Sequence, residues 1–252
     1  MAEILEAIVF GSLGTIGETS ELHRNAFNQT FEELGLEWHW SVDTYNDLLE
    51  TVGGKDRILA FARSHGDASV TVSTATELHA YKTKVYADLV RQSPSVLRPG
   101  VARLVREARS AGVPLGLATS TTAESLHSNF DNFGDLLTLD HFDEVITISD
   151  LDRGKPAPDA HVVCMSRLKV RASRTVAIED TEASVASAFI AGATVVATPG
   201  AHSGARNYSS AAVTVSSLGD PEDQAFLIGD GPRLDDGMVT LRWLSRLIDV
   251  VG

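Results

Sequence analysis

The sequence is poorest in cysteine. Cys164 stands alone among 252 residues, which excludes an intrachain disulfide and fits a reducing compartment, so a cytoplasmic location is expected. No apolar run approaches the ~20 residues of a membrane span. Residues 4–10 are apolar, but the run is too short and its flanks too acidic for a signal peptide. Basic residues are also scarce: 21 Lys and Arg face 34 Asp and Glu, a net charge of −13. Nucleic acids and anionic membranes select basic patches, so neither is an expected partner. Solubility alone accounts for the acidic balance. Repeats and low-complexity segments are missing too, and the oligomeric state is not legible. With 43% apolar and 22% charged residues, the chain has an ordinary globular composition and length for one large domain, or a core plus a smaller one.

A second absence is local. Ala7 to Phe10 form a short apolar, β-branched run that stops at Gly11 and Gly14. This pattern predicts a buried strand entering a tight loop, with a helix from about Ser20. In an open α/β sheet, ligands bind beyond the carboxyl ends of the strands. The loop Gly11-Ser12-Leu13-Gly14-Thr15 is therefore the expected site, yet it carries no ionisable side chain.

The rest of the chain divides by pattern. Ser20 is the expected N-cap of a helix whose stripe is Leu22, Ala26, Phe27, Phe31 and Leu34, with Gly35 as its stop. Segments 43–50, 54–65 and about 72–92 read as three further helices, so residues 17–92 form an all-helical insert. Beyond Pro99-Gly100 helices and strands alternate: helix 101–111, strand 114–119, helix 122–133, strand 143–148, helix 159–169, strand 175–178, helix 182–191, strand 194–197, a short strand at 213–215 and a helix at 238–250. Strands separated by helices of 10–15 residues imply βαβ units and a parallel sheet. The expectation is an α/β fold, a Rossmann-like parallel sheet flanked by helices, with core 1–16 and 93–252 and cap 17–92. The Gly/Ser-rich stretch 199–210 reads as a surface loop, and 219–236 as a polar loop.

Four strand ends converge in this arrangement: residues 11–15, Thr119-Ser120-Thr121, Lys155, and Glu179-Asp180. Together with Glu21-Leu22-His23, Gly53-Gly54-Lys55, Arg98-Pro99-Gly100, Gly154-Lys155-Pro156-Ala157-Pro158-Asp159 and Ile178-Glu179-Asp180-Thr181, they resemble the haloacid dehalogenase superfamily, specifically its CbbY-type, β-phosphoglucomutase-like sugar-phosphate phosphatases. The resemblance reaches to about residue 218. It implies a first loop Asp-x-Asp-Gly-Thr, in which one Asp attacks phosphorus, the next is the general acid/base, and both help a downstream Asp to hold Mg²⁺. Those two positions fall on Gly11 and Leu13, which can neither attack, shuttle a proton nor ligate a metal.

The remaining residues suit an anion. Ser12, Thr119, Ser120 and the backbone around Gly11 and Leu13 can donate to phosphate oxygens, and Lys155 corresponds to the family's phosphate-orienting lysine. Glu179 and Asp180 correspond to its third acidic motif; with two carboxylates gone, Mg²⁺ is at most weakly held there, and Asp180 is equally well placed to pair with Lys155. Gly11 is expected to open space in the site. In the cap, Lys55 and Arg57 match the substrate-recognition loop and His23 a position facing the core–cap cleft; each also reads as an ordinary surface residue. Trp38, Trp40 and Tyr45 read as cap core. Ser12 as a substitute nucleophile, or Glu18 as a base, is the less favoured reading beside a small loop residue and a first-turn carboxylate. The expected function is thus binding of a phosphorylated or anionic metabolite without ordinary phosphatase chemistry. The alternatives are a repurposed lyase, isomerase or hydrolase working through Glu179, Lys155, His23 or Glu18, and a non-enzymatic scaffold.

Overall fold

Six short strands form one sheet in the order β3-β2-β1-β4-β5-β6, every neighbouring pair parallel. They are β1 (Ala7–Phe10), β2 (Leu115–Ala118), β3 (Glu144–Ile146), β4 (Thr175–Glu179), β5 (Thr194–Ala197) and β6 (Val213–Thr214). The structure is a computed structural model and describes residues 5–49, 51, 53–92, 97–200 and 207–251. The chain forms two compact units, Met1–Glu18 with Ser95–Gly252, and Thr19–Pro94. The predicted boundary at residue 93 and half of the predicted 199–210 loop lie outside the described residues.

The smaller unit consists of α1 (Ser20–Glu33), α2 (Val42–Leu48), α3 (Gly54–Ser64) and α4 (Val72–Gln92). Phe27, Phe31, Trp40, Tyr45, Ile58, Phe61 and Leu78 pack in its core, with Trp38 against them. Two expectations change here. Ser20 is the first helical residue, and Thr19 stands at the N-cap without a capping hydrogen bond from its side chain. Leu34 is exposed, because the helix ends one residue before it.

In the larger unit the central strands β1, β2 and β4 are buried on both faces, as a parallel sheet covered by helices requires. Side chains alternate across a strand. Ile8 and Phe10 therefore join one core with Leu115, Leu117, Val176, Ile178 and Trp243, while Val9 joins the other with Ala118, Ala177 and Cys164. The first core packs against α5 (Val101–Ala111) and α9 (Leu241–Val251). The second is built from small residues of α7 (Asp159–Leu168) and α8 (Glu182–Ile190). Close approach there is enforced at Gly116, where a β-carbon would sit 2.3 Å from Cys164 Sγ.

One further reading is corrected, and the loop reading of 219–236 gains its anchors. The helix predicted at 122–133 is α6 (Ala123–Phe130), followed by a 3-10 segment, Asp131–Leu136, broken at Gly134 with φ +55°. The polar stretch 219–236 is anchored through its backbone. Arg103 donates to the carbonyls of Leu218, Gly219 and Val239, and Val215 bridges to Leu227. These partners are over a hundred residues from Arg103 in sequence, which no local pattern records.

Candidate anion site at the carboxyl ends of the strands

Register places the site. Phe10 lies opposite Ile178 in the β1–β4 pair, and Gly11 N–H donates to Ile178 O at 2.8 Å. The next residues on the two strands, Gly11 and Glu179, are therefore side-by-side neighbours where the sheet ends. Thr119 follows β2 on the other side of β1, and Ser12 Oγ donates to Thr119 Oγ1 at 2.7 Å.

Glu179 is fully buried. Its Oε1 accepts from Lys155 Nζ at 2.6 Å and meets His161 Nε2 at 2.7 Å. Burial opposes its ionisation, but the Lys155 ammonium and the His161 contact outweigh that and hold the carboxyl below its usual range. Oε2 is also buried and has no hydrogen-bond partner. It points at Gly11: a β-carbon on Gly11 would stand 2.2 Å from Oε2 and 2.5 Å from Thr15 Oγ1. The space expected at Gly11 is thus filled by the neighbouring carboxylate. Lys155, expected to face a phosphate or to pair with Asp180, pairs with Glu179 instead.

His161 carried no signal in the sequence reading. It lies near the start of α7, and helical side chains lean toward the N-terminus, which aims its ring back at the strand ends. Its Nδ1 is 3.0 Å from Ser187 Oγ, and Ser187 donates its one hydroxyl proton to Ala157 O at 2.7 Å. With the Ser187 proton committed to Ala157 O, a neutral His161 donates either to Ser187 through Nδ1 or to Glu179 through Nε2, and makes both donations at once only as the imidazolium. Burial and the Lys155 ammonium push its pKa down, and Glu179 pushes it back up.

The oxygen-binding face lies beside this knot. The N–H groups of Ser12, Leu13 and Ser120 have no protein partner among the described residues. Thr119 Oγ1 accepts from Ser12 and from Thr121 N–H, leaving its own proton free to donate. Lys155 N–H donates to Ser120 Oγ at 3.0 Å, tying the two loops together. Converging backbone donors of this kind are what bind anions. The loop is braced from below by Arg98, whose guanidinium donates to the carbonyls of Gly14, Thr198, Pro199 and Ser216. Burial lowers the Arg98 pKa while Asp180 and Glu18 act in the opposite direction, which places the half-buried Glu18 near the guanidinium.

Asp180 accepts from Thr15 Oγ1 at 2.9 Å. Burial, then the charge of Glu179, push its carboxyl up to about 6. Gly14 adopts φ +82° directly against it, with the position of a β-carbon 2.0 Å from Asp180 Oδ2. The donor set does not fit Mg²⁺, which requires near-octahedral oxygen ligation. Leu13 offers only backbone, one oxygen of Glu179 is held by Lys155 and His161, and no cluster of three ligating side chains exists among the described residues.

The predicted cap residues lie in the helical unit. Arg57 donates to Thr51 O at 2.9 Å beside the Tyr45 ring, and Lys55 is half-exposed, 4.0 Å from Asp56. His23 stacks on Tyr86, with ring centroids 4.0 Å apart. His79 and Lys82, which the sequence reading passed over, complete a basic cluster with them.

Comparison with known proteins agrees with this geometry. The family description of haloacid dehalogenase-like hydrolases matches residues 5–192. The chain belongs to this family. It is 34% identical over 223 residues to the protein CbbY encoded on a Cupriavidus necator plasmid, covering 87% of this chain and 88% of that one. It is also similar to the crystal structure of a CbbY mutant from Rhodobacter sphaeroides in complex with xylulose-(1,5)bisphosphate, with a TM-score of 0.73 and 34% identity over 85% of this chain and 95% of that one. A β-phosphoglucomutase from Clostridium difficile, 17% identical, shares the fold at a TM-score of 0.70 over 98% of both chains. The haloacid dehalogenase-like fold is thus the frame for the parallel sheet and the strand-end site. No helix among the described residues is long and apolar enough to cross a membrane.

Proposed function

We propose that the chain binds a phosphorylated or otherwise anionic small metabolite at the carboxyl ends of β1, β2 and β4, without phosphoaspartate chemistry. The relation between Gly11 and Glu179 carries this reading. A carboxylate nucleophile at position 11 is absent, and the room for one is taken by Glu179 Oε2. Leu13, two residues on, supplies no acid or base. Replacing these carboxylates by neutral residues also removes repulsion between the loop and an incoming anion. The free N–H groups of Ser12, Leu13 and Ser120, with the Thr119 hydroxyl, remain as donors. Lys155 and Glu179 hold the loop in shape, and Asp180 fixes Thr15.

Relatives named CbbY, one of them crystallised with a sugar bisphosphate, make such compounds the first ligands to test. Xylulose 1,5-bisphosphate, other sugar phosphates and inorganic phosphate are titrated calorimetrically in EDTA, and phosphate release is followed with Mg²⁺. Saturable binding in EDTA with no release above background is the expected result. Release at an ordinary enzymatic rate, roughly 1 s⁻¹ or faster, would overturn the reading, as would the absence of binding across the panel.

A further inference from the structure

Glu179 brings a hydrogen-bond acceptor to a face otherwise made of donors. Its Oε1 is held by Lys155 and His161, while Oε2 is buried and has no hydrogen-bond partner. Thr15 Oγ1 approaches the same point beside Gly11, but its proton goes to Asp180 Oδ1. Native structures rarely keep a buried oxygen unpaired without a reason. Oε2 abuts Gly11, the residue just before the N–H groups of Ser12 and Leu13, which meet no protein acceptor among the described residues. The Ser120 N–H and the Thr119 hydroxyl proton complete the donor face. The nearby cations are committed elsewhere: Lys155 is neutralised by Glu179, and Arg98 donates to the carbonyls of Gly14, Pro199 and Ser216. Donors grouped beside one unpaired carboxylate oxygen suit an anion that itself still carries a hydrogen.

We propose that the strand-end site selects an oxyanion that retains a proton, with Glu179 Oε2 as the acceptor that makes the distinction. This deepens the anion-binding reading, on which it rests, by naming which anions enter. They are hydrogen phosphate and the monoanion of a phosphate monoester, whose last proton leaves at about pH 6. The ligand's P–O–H donates to Oε2. Its other oxygens accept from the N–H groups of Ser12, Leu13 and Ser120 and from the Thr119 hydroxyl. No bond to phosphorus forms or breaks, and the proton stays with the ligand. Sulfate and sulfate esters carry no proton near neutral pH, so a bare oxygen would face a carboxylate. Repulsion, together with an acceptor left unpaired, is how a site separates ligands of one shape. Gly11 is part of the device, because a β-carbon there would stand 2.2 Å from Oε2 and deny it the loop.

The test is calorimetric titration of the full chain in EDTA at pH 8 with phosphate and sulfate, and with arsenate and selenate as a second pair. At that pH all four are mainly dianions of similar shape, and only phosphate and arsenate keep a proton. Asp180, its carboxyl pushed up to about 6 by burial and Glu179, is ionised in every titration and cancels from the comparison. Phosphate and arsenate are expected to bind at least about tenfold more tightly than sulfate and selenate, the scale of one buried hydrogen bond left unmade. In Glu179→Gln an amide N–H₂ replaces the unpaired oxygen, and the preference is expected to vanish. Equal binding of phosphate and sulfate by the native chain overturns the inference and leaves the anion site standing. A preference that survives in Glu179→Gln overturns it as well, and the native ratio alone decides should that variant not fold. Binding of none of the four ions overturns the anion reading together with the inference.

Discussion

The Oε2 atom of Glu179 stands 2.2 Å from where a β-carbon on Gly11 would be. The last side chain of one strand thus fills the space a side chain on its neighbour would need, and position 11 accepts one only if Glu179 shifts. Gly11→Ala is expected to cost about 1–3 kcal/mol, as overpacking of a rigid interior does, measured by urea unfolding. Gly11→Asp with Glu179→Ala should be destabilised by less than the two single losses combined. A neutral Gly11→Ala would show that the carboxylate yields freely.

Lys155 neutralises a carboxylate that is otherwise wholly buried. Lys155→Met leaves Glu179 with His161 alone. Removing one partner of a buried pair costs about 3–5 kcal/mol, so a large drop in the unfolding midpoint is expected. Lys155→Met with Glu179→Gln should recover much of it. A single-variant loss below about 1 kcal/mol would contradict the buried pairing.

Asp180 gives a pH signature. Its folded pKa of about 6 lies above the value of about 3.9 expected unfolded, so the folded state binds the proton more tightly. That contribution is complete below about pH 4 and is lost as the pH rises through 6. Asp180→Asn keeps a neutral side chain at every pH. In EDTA it should be more stable than the parent at pH 8, with the difference shrinking toward pH 4.5. A difference that grows as the pH falls would reverse the sign of the argument.

Cys164 lies under Gly116 in the small-residue core. Burial pushes its thiol up to about 12, so almost no thiolate is present at pH 8. Native protein should resist iodoacetamide at that pH and react stoichiometrically in 6 M guanidinium. Rapid alkylation of the folded chain would contradict the burial.

The strands, the helical insert and the converging loops were legible because they depend on local pattern: apolar runs of four or five residues, glycine stops and helical stripes. Phe10 followed by Gly11 announces a strand end whatever surrounds it. Pairings across the sheet were not legible. Nothing near residue 179 says that its carboxylate reaches over Gly11, since that follows from β1 and β4 being neighbours in register. His161 was hidden for the same reason: it is the third residue of α7, and its partners Glu179 and Ser187 are 18 and 26 residues away. Arg98 stood in plain view inside Arg98-Pro99-Gly100, but its carbonyl partners come from three separate loops. Lys82 is one of two lysines in α4, and only burial against Phe27 and Tyr86 distinguishes it.

Gly17 bridges antiparallel to Leu97, and Arg98 N–H donates to Ile16 O at 2.9 Å. The segment that follows β1 and the segment that leads into α5 are therefore held together. For the sheet, the chain between these two contacts is one long closed loop. Closing such a loop grows only logarithmically harder with length, by about 0.6 kcal/mol per doubling. This closure thus frees the insert to change in size and sequence while the β-sheet keeps its register, and it marks where one such module could be exchanged for another.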